Sequence, residues 1–171
     1  MSCGTPLSAG DGIDPVISQF FQKDHLRLDE IFISFQKNKK EDLDLAKNNF
    51  EEFKKGLLRH IVWEEEILFP AFESKTGMVD SGPTAVMRFE HKQIKTHLHN
   101  ISEYLQSGDV AAVQDNETSL LHILKMHNMK EEHALYPAID RLTSAEEKAA
   151  ILEKINTMPA ASHGCCCGVS A

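Results

Sequence analysis

Two stretches hold the residues best suited to chemistry: Arg59 to Pro70, RHIVWEEEILFP, and Met126 to Pro137, MHNMKEEHALYP. Aligned on His60 and His127, they keep one offset of 67 residues through Glu64/Glu131, Glu65/Glu132, Leu68/Leu135 and Pro70/Pro137, with Phe69 answering Tyr136. In each stretch a His and a Glu stand four residues apart. On a helix, side chains at i and i+4 share a face one turn apart. Each pair can therefore present an imidazole nitrogen and a carboxylate oxygen to one metal ion. His25 and His91, 66 residues apart, add two more imidazoles.

The elements that must position these groups are helices. Asp14-Pro15 opens the first, with Asp as N-cap and Pro at the first helical position. Ile17, Phe21, His25, Leu28, Phe32 and Phe35 follow at spacings of three and four, an apolar seam interrupted by one histidine. The second helix is expected from about Glu41 to Phe72, with the seam Phe50, Phe53, Leu57, His60, Glu64, Ile67 and Leu68. Pro70 should kink or end it. Pro83 starts the third helix, whose seam is Met87, His91, Ile94, Leu98, Ile101 and Leu105, and Gly108 ends it. The fourth reads Val113, Leu120, Leu124, His127, Glu131, Ala134 and Ala138. A short fifth helix starts at Thr143 or Ser144, both of which open capping-box patterns.

No strand-period stretch competes, so the fold class is all-α: an antiparallel four-helix bundle with a short additional C-terminal helix. The first and second helices look like a hairpin repeated as the third and fourth. Residues 14–158 form the bundle domain. Residues 1–13 are a polar N-terminal tail and 159–171 a Cys-rich C-terminal tail, both expected to be flexible.

Bulk composition sets the remaining bounds. The 171 residues are 42% hydrophobic and 26% charged, as in an ordinary globular domain. A formal charge of −8 lacks the Lys/Arg excess that nucleic acid or an anionic membrane surface requires. No apolar run is long enough to span a bilayer. The first residues carry neither the basic region nor the apolar stretch of a secretion signal. Cys3, Cys165, Cys166 and Cys167 sit at the two ends, where none could staple a core. The expected setting is therefore reducing and cytoplasmic.

Six ionisable residues thus fall on apolar seams: His25, His60, Glu64, His91, His127 and Glu131. One seam histidine is ordinarily a hydrogen-bonded core residue. Six ionisable groups converging from four helices need compensation, because an unpaired buried carboxylate costs several kcal/mol or loses its charge. Two metal ions supply it. Imidazole with carboxylate suits iron, manganese or zinc, and spacing does not choose among them. His97 and His133 read as surface residues. His99 and His122 are candidates for a supporting group or an extra ligand. Glu65, Glu66 and Glu132 flank the ligands and are expected in water or behind the imidazoles, and Asp29 is a candidate to orient His25. Trp63 and Tyr136 read as packing residues able to gate access. The tail His163 to Gly168 could hold or pass on a metal through its thiolates, or simply be a reduced end.

At DHLRLDEIF, HIVWEEEILFP, FEHKQI and HNMKEEHALYP the sequence resembles the hemerythrin-like (HHE cation-binding) family, over about Pro15 to Asp140. The resemblance implies a four-helix bundle holding two iron ions, Fe2+ or Fe3+ with an oxo or hydroxo bridge, that meet dioxygen, nitric oxide or peroxide. Carried across, the ligands are the six seam residues, with Glu64 and Glu131 as bridges. The oxygen carriers of that family use a fifth histidine four residues after the one matching His91, where this chain has Lys95, and an aspartate in place of Glu131. The four-His, two-Glu set looks more like the di-iron proteins that repair iron–sulfur clusters under nitrosative and oxidative stress. Three functions follow: binding or sensing of a small ligand, repair or oxidoreductase chemistry, and metal storage or zinc binding. Neither turnover nor a homodimer is decided by these residues, and no catalytic acid or base is implied.

Overall fold

The computed structural model describes residues 16–159, and within them all regular structure is helical. The tail 1–13, the Asp14-Pro15 start and the Cys165–Cys167 cluster lie outside the described residues. Helix α1 spans Val16–Asn38 and α2 Leu43–Trp63. The chain then passes through a π-helical turn, Glu64–Leu68, into α3, Phe69–Thr76. Helix α4 spans Pro83–Ser107 and α5 Val110–Lys130, followed by a second π turn, Glu131–Leu135, and α6, Tyr136–Leu142. Helix α7, Ala145–Thr157, completes the set.

Local chemistry accounts for most of these ends. Asp42 caps α2 by accepting from the Leu45 N–H, and Asp109 caps α5 by accepting from the Ala112 N–H. Ser144 and Glu147 form the reciprocal capping box of α7. Gly108 closes α4 at φ 76°, a left-handed conformation that a side chain would strain. The N-terminal end of α1 is capped from afar. Asp140 on α6 accepts from the Ile17 N–H at 2.9 Å, the Ser18 N–H at 3.0 Å and the Ser18 hydroxyl at 2.7 Å.

Neither Pro70 nor Pro137 ends its helix. Each follows a turn in which the backbone has taken up one extra residue: Phe69 N–H donates to Glu64 C=O, and Tyr136 N–H to Glu131 C=O, five residues back. A wide turn suits the residue before proline, which itself has no N–H to donate. It also corrects the expected seam. Ala134 is exposed and Leu135 is buried in its place, because the extra residue rephases the helix.

Helix α1 lies along α2 and α4 along α5, with α2 also against α4 and α1 against α6. The seams bury two apolar clusters. One gathers Leu28, Phe32, Phe35, Phe50, Phe53, Leu57, Ile94, Leu98, Ile101 and Leu120. The other gathers Ile17, Phe21, Leu68, Phe69, Met87, Leu135, Tyr136, Ile139 and Ile151. At roughly 1.5–3 kcal/mol for each large apolar side chain, these clusters carry most of the stabilisation. Along every long helix the sequence crosses from one cluster to the other, and it does so at His25, at His60 and Glu64, at His91, and at His127 and Glu131. The polar residues form a belt between two apolar plugs.

Candidate metal centre

The six seam residues meet in that belt, and all are buried: His25 5%, His60 2%, Glu64 0%, His91 0%, His127 3% and Glu131 0% exposed. They fall into two groups that share Glu131. One comprises Glu64, His91, His127 and Glu131, the other His25, His60 and Glu131, with donor atoms in each group lying within 4.8 Å of one another.

Every imidazole is held from behind by a carboxylate on a different helix or turn. His25 Nδ1–H donates to Glu132 at 2.7 Å, and His60 Nδ1–H to Asp24 at 2.9 Å. His91 Nδ1–H donates to Glu65 at 2.9 Å, and His127 Nδ1–H to Glu90 at 2.9 Å. An ionised carboxylate can only accept, so the proton of each ring sits on Nδ1 and the Nε2 lone pair points inward. Three of these acids are themselves held by a cation. Arg27 Nε donates to Asp24 at 2.8 Å, Lys95 to Glu65 at 3.0 Å, and Lys130 to Glu90. The relay sets the charge of its members. Burial alone would raise the Asp24 carboxyl, yet the hydrogen bonds from His60 and Arg27 outweigh it and hold it at about 2.

Inward-facing nitrogens meet in pairs. His25 Nε2 lies 3.1 Å from His60 Nε2, and His91 Nε2 lies 3.1 Å from His127 Nε2. With both Nδ1 atoms protonated, each pair turns two lone pairs on one another unless a cation or an additional proton stands between them. Three of the four rings are shifted upward, while His25 is lowered by burial and by His60 beside it. Burial lowers His127, but Glu131 beside it raises it further, to about 9. His60 and His91 are likewise raised, against their burial, by Glu64 and other carboxylates nearby. Burial would raise the Glu64 carboxyl, and the surrounding imidazoles drive it well below the usual carboxylate range instead. The Glu64 carboxylate thus stays ionised and demands positive charge.

Two carboxylate oxygens take no hydrogen bond at all: Glu64 Oε2, 3.2 Å from His91 Nε2, and Glu131 Oε1, 3.0 Å from His127 Nε2. A buried oxygen without a partner is costly. Four inward-facing Nε2 nitrogens and two orphaned carboxylate oxygens converging in a buried belt fit divalent or trivalent cations, and the donor set therefore fits a metal. A model of the hemerythrin HHE cation binding domain matches residues 16–139. The chain belongs to that family. Neither the curated proteins nor the solved structures yield a match to it.

Sequence reasoning missed part of what supports this hemerythrin belt. Asp24 and Glu90 each precede a seam histidine, so each points off its own seam and reaches the histidine of the neighbouring helix. Their signal was the repeated acid–His dipeptide, Asp24-His25 and Glu90-His91. Asp29 is exposed, and Glu132 holds His25 in its stead. Glu66 is exposed as well. His99, His122 and His133 are exposed, and half-buried His97 bonds Asn116 at 3.1 Å, so none of the four joins the belt. Tyr136 does more than pack. It is fully buried with its hydroxyl in the belt, donating to Glu64 Oε1 at 2.7 Å and lying 2.9 Å from Glu131 Oε2. Its counterpart Phe69 stacks on the His91 ring at 5.7 Å. Outside the belt, a groove of about 780 Å³ runs past Phe20, Lys23, Arg27, Arg59 and Met158, and meets the site's surroundings at Asp24 and Trp63. Among the described residues no helix is long and apolar enough to cross a membrane.

Proposed function

We propose that this hemerythrin domain holds two iron ions in its belt and that the pair meets a small ligand: dioxygen, nitric oxide or peroxide. The ligand set is His25, His60, Glu64, His91, His127 and Glu131, with Glu64 and Glu131 bridging. One observation carries most of the support. In two imidazole pairs Nε2 faces Nε2 at 3.1 Å while every Nδ1 is committed to a carboxylate. Protons can fill that gap one per pair, whereas metal ions satisfy all four lone pairs and both orphaned oxygens together. Bound iron would supply open coordination positions and one-electron redox chemistry.

The chain's own residues provide the rest. Asp24, Glu65, Glu90 and Glu132 orient the rings, and such supporting partners tune metal affinity. The two apolar clusters on either side of the belt keep bulk water away. The architecture that goes with this reading is an antiparallel four-helix bundle with a short additional C-terminal helix. The short links from Lys39 to Asp42 and from Gly108 to Asp109 support it, since such connections turn neighbouring helices back along one another. Residues 14–158 then make up the bundle and 1–13 and 159–171 its tails.

Lys95 favours a reactive centre, of the kind that answers nitrosative or oxidative stress, over a reversible carrier. It stands where family oxygen carriers place a further histidine, and its ammonium is engaged with Glu65. The test is to load metal-free protein anaerobically with Fe2+, count iron per chain, then mix with oxygen and flush with inert gas. An absorption band that appears and vanishes means reversible binding. Irreversible conversion means stress or repair chemistry. A chain that takes up no iron overturns the proposal and leaves zinc binding or storage.

A further inference from the structure

We infer that Tyr136 is a positioning residue that makes the two metal positions of the belt unequal, so that the His91/His127 position fills before the His25/His60 position. The inference rests on the two-metal reading above and concerns how the ions enter.

The belt is built from a repeat, and the repeat is broken at the residue that follows each π turn. Phe69 and Tyr136 both stand five residues after a bridging glutamate, at the far end of a π turn. Phe69 offers only a ring face to His91. Tyr136 places a hydroxyl among the donors of the other position, 3.4 Å from His25 Nε2 and 3.4 Å from His60 Nε2. The same hydroxyl donates its one proton to Glu64 Oε1 and lies 2.9 Å from Glu131 Oε2. Those are the carboxylate oxygens that face this position, 3.7 Å from His60 Nε2 and 3.6 Å from His25 Nε2.

Each glutamate is thereby sorted. One oxygen is occupied by Tyr136, and the other is left without a partner against His91 or His127. An ion arriving at His91 and His127 finds two nitrogens and two oxygens with no hydroxyl to displace, only imidazole protons. An ion arriving at His25 and His60 must break the bond to Glu64 Oε1 and move the hydroxyl from beside Glu131 Oε2 before it gains more than the imidazoles. A carboxylate–hydroxyl bond is among the stronger neutral-donor bonds, and its loss counts against the second ion alone.

The test is an anaerobic titration of metal-free protein with Co2+, following bound metal by equilibrium dialysis together with the near-ultraviolet absorption of tyrosine. The chain has only two tyrosines, and Tyr104 packs against the apolar cluster away from Tyr136. Two steps are expected in the native chain, with the tyrosine signal moving on the second. In Tyr136→Phe the first step should stay and the second tighten by about tenfold, the order a charged hydrogen bond carries. Phenylalanine is what the chain itself carries at the matching position, and the native tyrosine signal decides the matter even if the variant folds poorly. A tyrosine change on the first ion, or two equivalent steps in native chain and variant alike, overturns the inference and leaves the two-metal reading standing. A native chain that binds no Co2+ overturns both.

Discussion

Glu65, in the π turn after α2, accepts a hydrogen bond from Nδ1 of His91 on α4 at 2.9 Å. Glu132, at the matching place after α5, does the same for His25 on α1. The acids are exchanged between the two halves of the chain: each half orients a ring of the other. Asp24 and Glu90 instead orient rings within their own half, on His60 and His127. The belt can therefore be complete only when both halves are docked, which couples the metal positions to the tertiary fold.

Glu65→Gln keeps the shape of the side chain and removes the charge behind His91. Metal affinity is expected to fall by roughly 10–100-fold, the usual consequence of altering a ligand's supporting partner. Helix content by circular dichroism should be unchanged. Equilibrium dialysis of the variant giving native affinity would show that the Glu65–His91 bond does not tune the site.

His60→Ala or Glu131→Ala should lower metal content and stability together. An ion that binds the fold and not the unfolded chain stabilises by mass action, by about 2.7 kcal/mol at a concentration 100-fold above Kd. Stripping the native protein with a chelator should lower Tm, and the same treatment should move either variant far less. Full metal occupancy in either variant would remove that residue from the ligand set.

The seam residues were legible because burial on a helix repeats every three to four positions, and all of those named for α1 and α4 are buried. The six belt residues were legible for the opposite reason: charge on an apolar stripe is out of place. The π turns were not. Pro70 and Pro137 marked the spot, but whether a proline ends a helix or is passed by a wide turn depends on what the following turn can bury. Here Phe69, Phe72, Tyr136 and Ile139 bury well enough to carry the helix onward. Asp24 and Glu90 were hidden because an acid off the seam looks like any solvated acid until a neighbouring helix is placed beside it. The cap that Asp140 provides to α1, 122 and 123 residues away, had no local signal at all.

That remote cap gives a stability test apart from the belt. Asp140→Ala leaves the Ile17 and Ser18 N–H groups without their acceptor at a buried helix start. The expected cost is about 1–3 kcal/mol, from a lost cap and unsatisfied buried donors. Chemical denaturation should report the loss, with metal stoichiometry still native. A variant as stable as the parent would mean that α1 starts without help from α6.

Proton release links the belt to pH. His127 titrates at about 9 in the metal-free fold, above its ordinary 6.5, because the pull of Glu131 exceeds the penalty of burial. A raised folded-state value adds stability that is fully present below 6.5 and is lost as pH rises through about 9. The metal-free fold should thus lose stability across this window on account of His127. A metal ion needs the neutral imidazole, so its affinity should rise over the same window as the competing proton leaves. The gap in Tm between metal-loaded and metal-free protein is therefore expected to widen from pH 6.5 to 9. Calorimetric titration at pH 7 in buffers of different ionisation enthalpy should also register protons released on binding. A Tm gap constant across the window, with no proton release, would mean that His127 is neutral before the metal arrives.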